Sequence, residues 1–168
     1  MKASGLVVAG LALLAATAAA AKPFPWGAKD KPPAVAGVTL GDTEQHALDV
    51  LGPPDDVKAS AMGETLEYGA KGLELIAAQS KIVAIRLLTA EAGSIGELKI
   101  GDTARDVILK WGAPLGGQGR VAQFGTDNWI VIVHLGDKTP NIVELMLADK
   151  HARPVQTDSG QLNTFKTQ

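Results

Sequence analysis

Histidines and aspartates are the residues of this chain whose side chains suit acid–base or metal chemistry. The three histidines, His46, His134 and His151, are scattered along the sequence. A catalytic triad or a metal centre needs several such groups in one constellation, and three dispersed imidazoles do not supply it. His46 falls in the first turn of a predicted helix, and His151 falls in a polar tail. His134 ends a predicted strand, where it can contact a partner or respond to pH, although a plain surface position also explains it.

The acidic and hydroxyl side chains give no stronger indication of catalysis. Asp42 and Asp102 resemble a pair of acids, but each lies beside a predicted helix cap, which already accounts for it. Asp55 and Asp56 lack the further oxygen ligands that a calcium site needs. The serines stand outside any nucleophile elbow, and the glycines have the spacing of turns rather than of a phosphate loop. We therefore predict no enzyme activity, no metal and no cofactor.

A short phrase that occurs twice, sixty positions apart, indicates how the chain is built. The phrase is Gly-Asp-Thr, followed by a helical pattern and a stop at Gly-x-Pro. Self-similarity at a fixed period is typical of repeated structural units. The residues that carry this structural motif are Gly41, Asp42, Thr43, Gly52, Pro54, Gly101, Asp102, Thr103, Gly112 and Pro114.

Each copy of the phrase predicts a short helix with defined ends. Thr43 and Thr103 are predicted N-caps, because a threonine hydroxyl accepts a hydrogen bond from a free amide of the first turn. Asp106 follows Thr103 by three residues, as in a short-armed capping box. The glycine after each helix is predicted to be left-handed, and the following proline prevents continuation. The predicted apolar faces are Ala47, Leu48 and Leu51 in the first helix, and Val107, Ile108 and Trp111 in the second.

After each helix the pattern predicts a meander of antiparallel strands. The predicted strands are 66–68, 73–78 and 82–88 in the first copy, and 121–124, 129–135 and 142–147 in the second. The predicted fold class is α+β, with two tandem repeats that each pack one short helix on a three- to four-stranded antiparallel sheet. The predicted organisation is a signal peptide (1–21), a proline-rich linker (22–36), repeat 1 (37–90), repeat 2 (91–148) and a flexible polar tail (149–168).

Alternation divides each predicted strand between the two faces of its sheet. The residues expected under the helix include Val83, Ile85, Leu87, Val143, Leu145 and Leu147. The opposite face, to which Ile82 and Ile142 are assigned, is more apolar than a face in water needs to be. Either two sheets cover each other there or a partner binds, and the flanking charged residues favour a partner. The candidate protein-binding face is Ile76, Arg86, Ile130, Ile132, His134, Glu144 and Met146.

The ends of the chain indicate export. Lys2 precedes an uncharged stretch that closes on small residues, which predicts a signal peptide cleaved after Ala20 or Ala21. Four of the nine prolines fall in residues 22–33, and Trp26 lies among them. This tryptophan either anchors a partner or folds back on the domain, and an isolated aromatic in a linker more often folds back. We expect a periplasmic or secreted protein.

Composition narrows the class of partner. The formal charge is −2 and becomes −3 when Lys2 is removed with the leader, which does not favour nucleic-acid binding. The chain has no cysteine, so it folds without disulfides and cannot carry a lipid on an N-terminal thiol. We therefore predict no stable membrane anchor and no nucleic-acid partner.

The twice-used phrase, with Tyr68-Gly69 and Phe124-Gly125 opening the strands that follow, resembles a repeat of bacterial envelope proteins. This repeat is that of the BamE (SmpA/OmlA) type of outer-membrane assembly lipoprotein and of the β-lactamase inhibitor protein, which has it in tandem. The likeness covers 38–88 and 98–147. It implies a protein-binding scaffold. The chain lacks the lipid-anchoring cysteine of the first group and the paired cysteines of the second, and the helix that often precedes such units is not visible.

The function that we predict is a non-enzymatic periplasmic module that binds another envelope protein, as an accessory factor of the cell envelope. One alternative is a secreted inhibitor of an enzyme such as a β-lactamase, for which the loop 53–64 is the candidate for insertion into an active site. A second alternative is a carrier of a small apolar ligand between two sheets. The identity of the partner and the oligomeric state are left open.

Overall fold

Ten strands and two short α-helices form the part of the chain that the computed structural model describes, namely residues 25–26, 31–60 and 62–152. The helices are α1 (Glu44–Leu51) and α2 (Ala104–Trp111). Eight strands belong to one sheet: β1 (Asp56–Ser60), β2 (Gly63–Tyr68), β3 (Leu73–Ala78), β4 (Lys81–Leu87), β7 (Gly116–Gln118), β8 (Val121–Gly125), β9 (Trp129–Leu135) and β10 (Ile142–Asp149). A small hairpin contains β5 (Ser94–Ile95) and β6 (Leu98–Lys99). The predicted signal peptide and most of the predicted tail lie outside the described residues.

The eight strands form a single antiparallel sheet in the order β1-β2-β3-β4-β10-β9-β8-β7. The prediction of an α+β fold made of two tandem helix-on-sheet repeats is therefore wrong: the described fold is mostly β, with two helices on one large sheet. Strands β4 and β10 pair at the centre of the sheet and join its two halves, with Leu87 opposite Leu145 and Ile85 opposite Leu147. A free strand edge presents unpaired backbone groups, and this pairing satisfies two such edges at once.

Both helices begin at the predicted caps. The hydroxyl of Thr43 accepts a hydrogen bond from the amide of His46 at 3.1 Å, which confirms the first cap. Thr103 and Asp106 form the complete capping box, and the two hydrogen bonds from Thr103 lower the pKa of the Asp106 carboxyl. Gly52 and Gly112 have φ of 84° and 78°, as predicted, but their ψ values of −175° and −150° are extended rather than left-handed helical.

The Gly-Asp-Thr segments attach the start of each helix to the sheet. The amide of Gly41 donates to the carbonyl of Ile82 at 2.8 Å, and the amide of Ile82 donates to the carbonyl of Asp42 at 2.8 Å. The second segment makes the same pair of bonds between Gly101, Asp102 and Ile142, at 2.9 and 2.7 Å. In the first segment the Asp42 carboxylate also accepts the amide of Thr39 at 2.8 Å, which closes the turn.

A β-bulge near the start of β4 and of β10 changes which residues face the core. In each strand the register shifts by one residue, at Val83 and at Val143. Ile82 and Ile142 consequently point into the core, with 0% and 1% exposure, whereas Val143 is 47% exposed. The prediction that Ile82 and Ile142 belong to the opposite face, and that Val143 lies under the helix, is wrong because strict alternation assumes an unbroken pleat.

The core lies between the helices and one face of the sheet. Its largest side chains are Trp111, Trp129 and Phe124, all at most 1% exposed. Trp111 contacts Phe124 edge to face at 5.4 Å between ring centroids. Ile108, which the helical pattern assigned to the buried face, is 51% exposed. Val107 and Trp111 alone therefore form the buried face of α2.

The two outermost strands were not predicted. β1 occupies the centre of the segment 53–64 that was interpreted as a projecting loop, and it pairs with β2 along its whole length. β7 pairs with β8 through only three residues, two of which are glycines. Short edge strands next to glycine and proline give almost no periodic signal, which explains why both were missed.

Replacing Trp111 with alanine should destabilise the fold far more than removing either cap. We expect a loss of about 3 to 5 kcal/mol for Trp111→Ala, since a fully buried aromatic leaves a large cavity. Thr43→Ala and Thr103→Ala should each cost about 1 kcal/mol, because each frees one helix amide. Urea unfolding of the three variants checks the ranking. A smaller loss for Trp111→Ala than for the cap variants would contradict it.

Candidate functional site

One face of the large sheet is not covered by either helix, and we call it the open face. The register places on it the predicted residues Ile76, Arg86, Ile130, Ile132, His134, Glu144 and Met146, together with Glu74, Ala84 and Ala148. Ile76 is 8% exposed, and the other predicted residues are half-buried. The sheet therefore brings together all seven residues of the predicted binding face.

A single row of directly paired residues crosses all eight strands on the open face. From β1 to β7 the row is Asp56, Glu67, Glu74, Arg86, Met146, Ile132, Gln123 and Gly116. Its first half is charged and its second half is uncharged. Strands in a sheet are about 4.8 Å apart, so the row is roughly 34 Å long. The open face thus has a charged side and an apolar side that meet at the junction of β4 and β10.

A second row, beside the first, is apolar. It consists of Ile76, Ala84, Ala148 and Ile130, which are paired in that order on β3, β4, β10 and β9. Ile76 and Ala84 are buried, and Ala148 and Ile130 are half-buried. These residues and Met146 and Ile132 form an apolar patch across the middle of the sheet.

Four charged or titratable side chains form what we call the ion-pair chain across this middle region. Nη1 of Arg86 donates to Oε2 of Glu74 at 2.8 Å. Nε of Arg86 lies 3.2 Å from Oε1 of Glu144, within ion-pair distance although the N–H is not directed at the oxygen. Nδ1 of His134 lies 3.2 Å from Oε2 of Glu144, and this contact is a hydrogen bond when Nδ1 carries a proton. The ion-pair chain thus links side chains on β3, β4, β10 and β9.

Charged residues continue toward the β1 edge. Nζ of Lys58 contacts both carboxylate oxygens of Glu67 at 2.7 Å and lies 3.5 Å from Asp56. The hydrogen bond to Glu67 raises the pKa of Lys58. Glu67 and Glu74 are directly opposite each other, and like charges in that position repel. Among the described residues, the part of the open face on β1 to β3 has three carboxylates, Asp56, Glu67 and Glu74, against the one cation Lys58, so this side of the face is acidic.

His134 also lines a shallow hollow at the end of the open face. The hollow measures about 280 Å³ and includes Arg120, Val121, Gly136 and Val143. It is open to solvent, and the described residues that line it include no second imidazole. Asp137 and Leu135 complete its lining.

The remaining candidates for chemistry do not converge. His46 lies 3.8 Å from Asp42 at the start of α1, and His151 is exposed beyond β10. Within the described residues, no group of three or more histidine, aspartate or glutamate side chains could hold a metal ion. Neither helix in that part of the chain has the length and hydropathy to cross a membrane.

Glu74, Ala84 and Ala148 lie in the middle of the open face and were not among the predicted site residues. The bond of Glu74 to Arg86 depends on the pairing of β3 with β4. Ala84 and Ala148 are small, and only their opposition across the β4–β10 pair makes them part of the patch. Alternation alone could have identified Glu74, whereas Ala148 required knowledge of where β10 ends.

Comparison with known proteins shows similarity in fold alone. No protein-family model and no curated protein matches the sequence. A cysteine-rich secretory protein from Staphylococcus aureus has a similar structure, with a TM-score of 0.54 and 15% sequence identity over 71% of this chain and 46% of that one. An extracellular protein containing an SCP domain from Bacillus anthracis has a TM-score of 0.46 and 15% identity, over 66% of this chain and 44% of that one. This chain matches less than half the length of either protein.

The resemblance to the BamE type of lipoprotein and to the β-lactamase inhibitor protein is contradicted. The similar structure is that of a cysteine-rich secretory protein, and the eight strands form one sheet rather than tandem units. The residues that carried the resemblance are caps, turns and strand openings, which many unrelated folds need, so they indicate local structure rather than family.

The ion pair between Arg86 and Glu144 should contribute measurably to stability. Their side chains are 35% and 26% exposed, so we expect a coupling free energy of about 0.5 to 1 kcal/mol in a double-mutant cycle with Arg86→Met and Glu144→Gln. The control is Lys58 with Asp56, whose side chains are 57% and 58% exposed and should show almost no coupling. Urea unfolding measures both cycles. Equal couplings would contradict a special role for the ion pair at the centre of the sheet.

Proposed function

We propose that the protein is a non-enzymatic binding module that recognises another protein through the open face. The observation that carries this proposal is the apolar patch, which the helices leave uncovered and through which the ion-pair chain runs. An antiparallel sheet with one face on the core normally presents polar residues on the other. Here the second row is aliphatic on four adjacent strands, and Met146 and Ile132 extend the apolar surface into the first row. Burial of such a patch against a partner is favourable.

The charges on the open face favour one kind of partner. The first row is acidic toward β1 and uncharged toward β7. A partner surface with an apolar centre and positive charges on one side would complement it, and the acidic residues would then orient the complex.

The two alternative functions have less support. An inhibitor that inserts the segment 53–64 would need a projecting loop, but the centre of this segment is strand β1, which is paired with β2 in the sheet. A carrier between two sheets would need an enclosed space between them. The described strands instead form one large sheet and a small hairpin with two residues in each strand. A binding module needs an apolar contact surface, and the apolar patch of the open face is such a surface.

We further propose that the protein acts outside the cytoplasm, in the periplasm or as a secreted protein, within the cell envelope. The support is the charged start, the apolar stretch and the small residues at Ala18 to Ala21. In this setting the partner is another exported protein. The absence of cysteine fits a fold that does not depend on disulfide formation.

Substitution in the apolar patch should remove binding without unfolding the protein. We expect Ile132→Asp and Met146→Asp each to weaken capture of an envelope partner at least tenfold, because each places a carboxylate in the contact surface. Neither residue belongs to the core cluster, so both variants should still fold and melt cooperatively. Affinity capture from an envelope fraction with the wild-type chain identifies the partner, and the variants are then tested against it.

The matched control is Leu109→Asp, at a residue that is 62% exposed on α2, away from the open face. This variant should bind as the wild type does. Unfolding of Ile132→Asp or Met146→Asp would show that the patch belongs to the folded core. Normal binding by both folded variants would place the interaction elsewhere on the molecule.

A further inference from the structure

The side chain of Trp26 occupies a small cleft at the edge of the core. Its ring lies edge to face against Trp111, with centroids 5.1 Å apart, and against Trp129, with centroids 5.4 Å apart. The floor of the cleft is Gly96, in the turn of the β5–β6 hairpin. A Cβ atom on Gly96 would overlap the ring of Trp26. The glycine therefore makes room for the tryptophan, and we call the space between Gly96, Trp111 and Trp129 the tryptophan cleft.

Trp26 reaches the cleft from outside the sheet. Pro25, Trp26 and residues 31–34 belong to no helix or strand. The carbonyl of Pro32 accepts a hydrogen bond from the hydroxyl of Thr39 at 3.3 Å, and Pro32 and Pro33 are half-buried. The ring of Trp26 thus packs on the core from a position outside the helices and strands.

We propose that the tryptophan cleft is a docking site for the segment 22–33, filled by the chain's own Trp26 and exchangeable between two copies of the chain. Prolines restrict the free conformations of a segment and lower the entropy that it loses on docking. Aromatic-lined grooves bind proline-rich segments in this way in several classes of recognition domain. The segment 22–33 has four prolines around Trp26, and the cleft has two tryptophan walls.

Whether the cleft binds its own segment or that of a second copy depends on the effective concentration of each. In one chain, Trp26 reaches the cleft as a tethered ligand and outcompetes a free copy of the same segment. When Trp26 is removed, the cleft becomes available to the segment of a second copy. The surface involved lies on the core side of the sheet, so this site is independent of the open face.

The test uses a fluorescently labelled peptide with the sequence of residues 22–33 and the full chain with Trp26→Ala. We expect saturable binding by fluorescence anisotropy. The wild-type chain should bind the peptide at least tenfold more weakly, because its own Trp26 occupies the cleft. A peptide with alanine in place of the tryptophan should also bind at least tenfold more weakly.

A matched pair of glycine variants distinguishes the effect of filling the cleft from the effect of backbone strain. Gly96 has φ of 58°, so Gly96→Ala both fills the cleft and strains the turn. Gly119 has φ of 60°, and no atom lies within 4 Å of the position that a Cβ atom would take there, so Gly119→Ala imposes the strain alone. In the Trp26→Ala background, Gly96→Ala should abolish peptide binding and Gly119→Ala should preserve it.

Two results would overturn the proposal. One is a folded Trp26→Ala chain that binds neither peptide or binds both equally. The other is a Trp26→Ala chain that is unfolded and does not refold when the peptide is added, since Trp26 would then be an inseparable part of the core. Refolding by the tryptophan peptide, and not by the alanine peptide, would support docking.

Discussion

The backbone hydrogen bonds between the Gly-Asp-Thr segments and the first residues of β4 and β10 are the constraint on which the rest of the structure depends. Ile82 and Ile142 each donate to and accept from these segments, so the start of each helix is fixed against a strand of the sheet. A residue that bonds to a turn in this way departs from the regular ladder, and the bulge that follows restores the pairing. The helix positions and the inward direction of two isoleucines have this common origin.

The open face in turn depends on the pairing of β4 with β10. Each strand alone would contribute a narrow strip of mixed residues. Side by side, they place Arg86 opposite Met146 and Ala84 opposite Ala148, which makes the apolar patch continuous and allows Arg86 to contact Glu144 across the junction. Candidate site and fold are therefore inseparable here: a surface residue such as Glu144 acquires its partner only when the two halves of the sheet meet.

The sequence was sufficient for features that depend on neighbouring residues. Thr43 and Thr103 were identified as caps because a hydroxyl acts on an amide three positions away, and Trp111 was identified as buried from helical spacing. Features that depend on distant residues could not be obtained in this way. Alternation cannot reveal the bulges at Val83 and Val143, since their cause is a bond to a segment some forty residues earlier.

The candidate site shows the same division. Its seven residues share one face because period-two alternation holds through the centres of β3, β4, β9 and β10. The pattern could not indicate which strand edges join, so it left open whether the two halves cover each other or lie side by side. The contact of Trp26 with Gly96 could not be predicted from the sequence either, because a glycine can occur in a turn for many reasons.

The order of the strands also has a consequence for how the chain folds. Every pairing in the large sheet except one joins consecutive strands through a short connection, and such hairpins form quickly. The exception is β4 with β10, whose union must close a loop that contains the whole second half of the sheet, at a greater entropic cost. Topology thus places this union last. Until it occurs, two aliphatic strands have unprotected edges, and this interval is the one in which the nascent protein is most prone to aggregate.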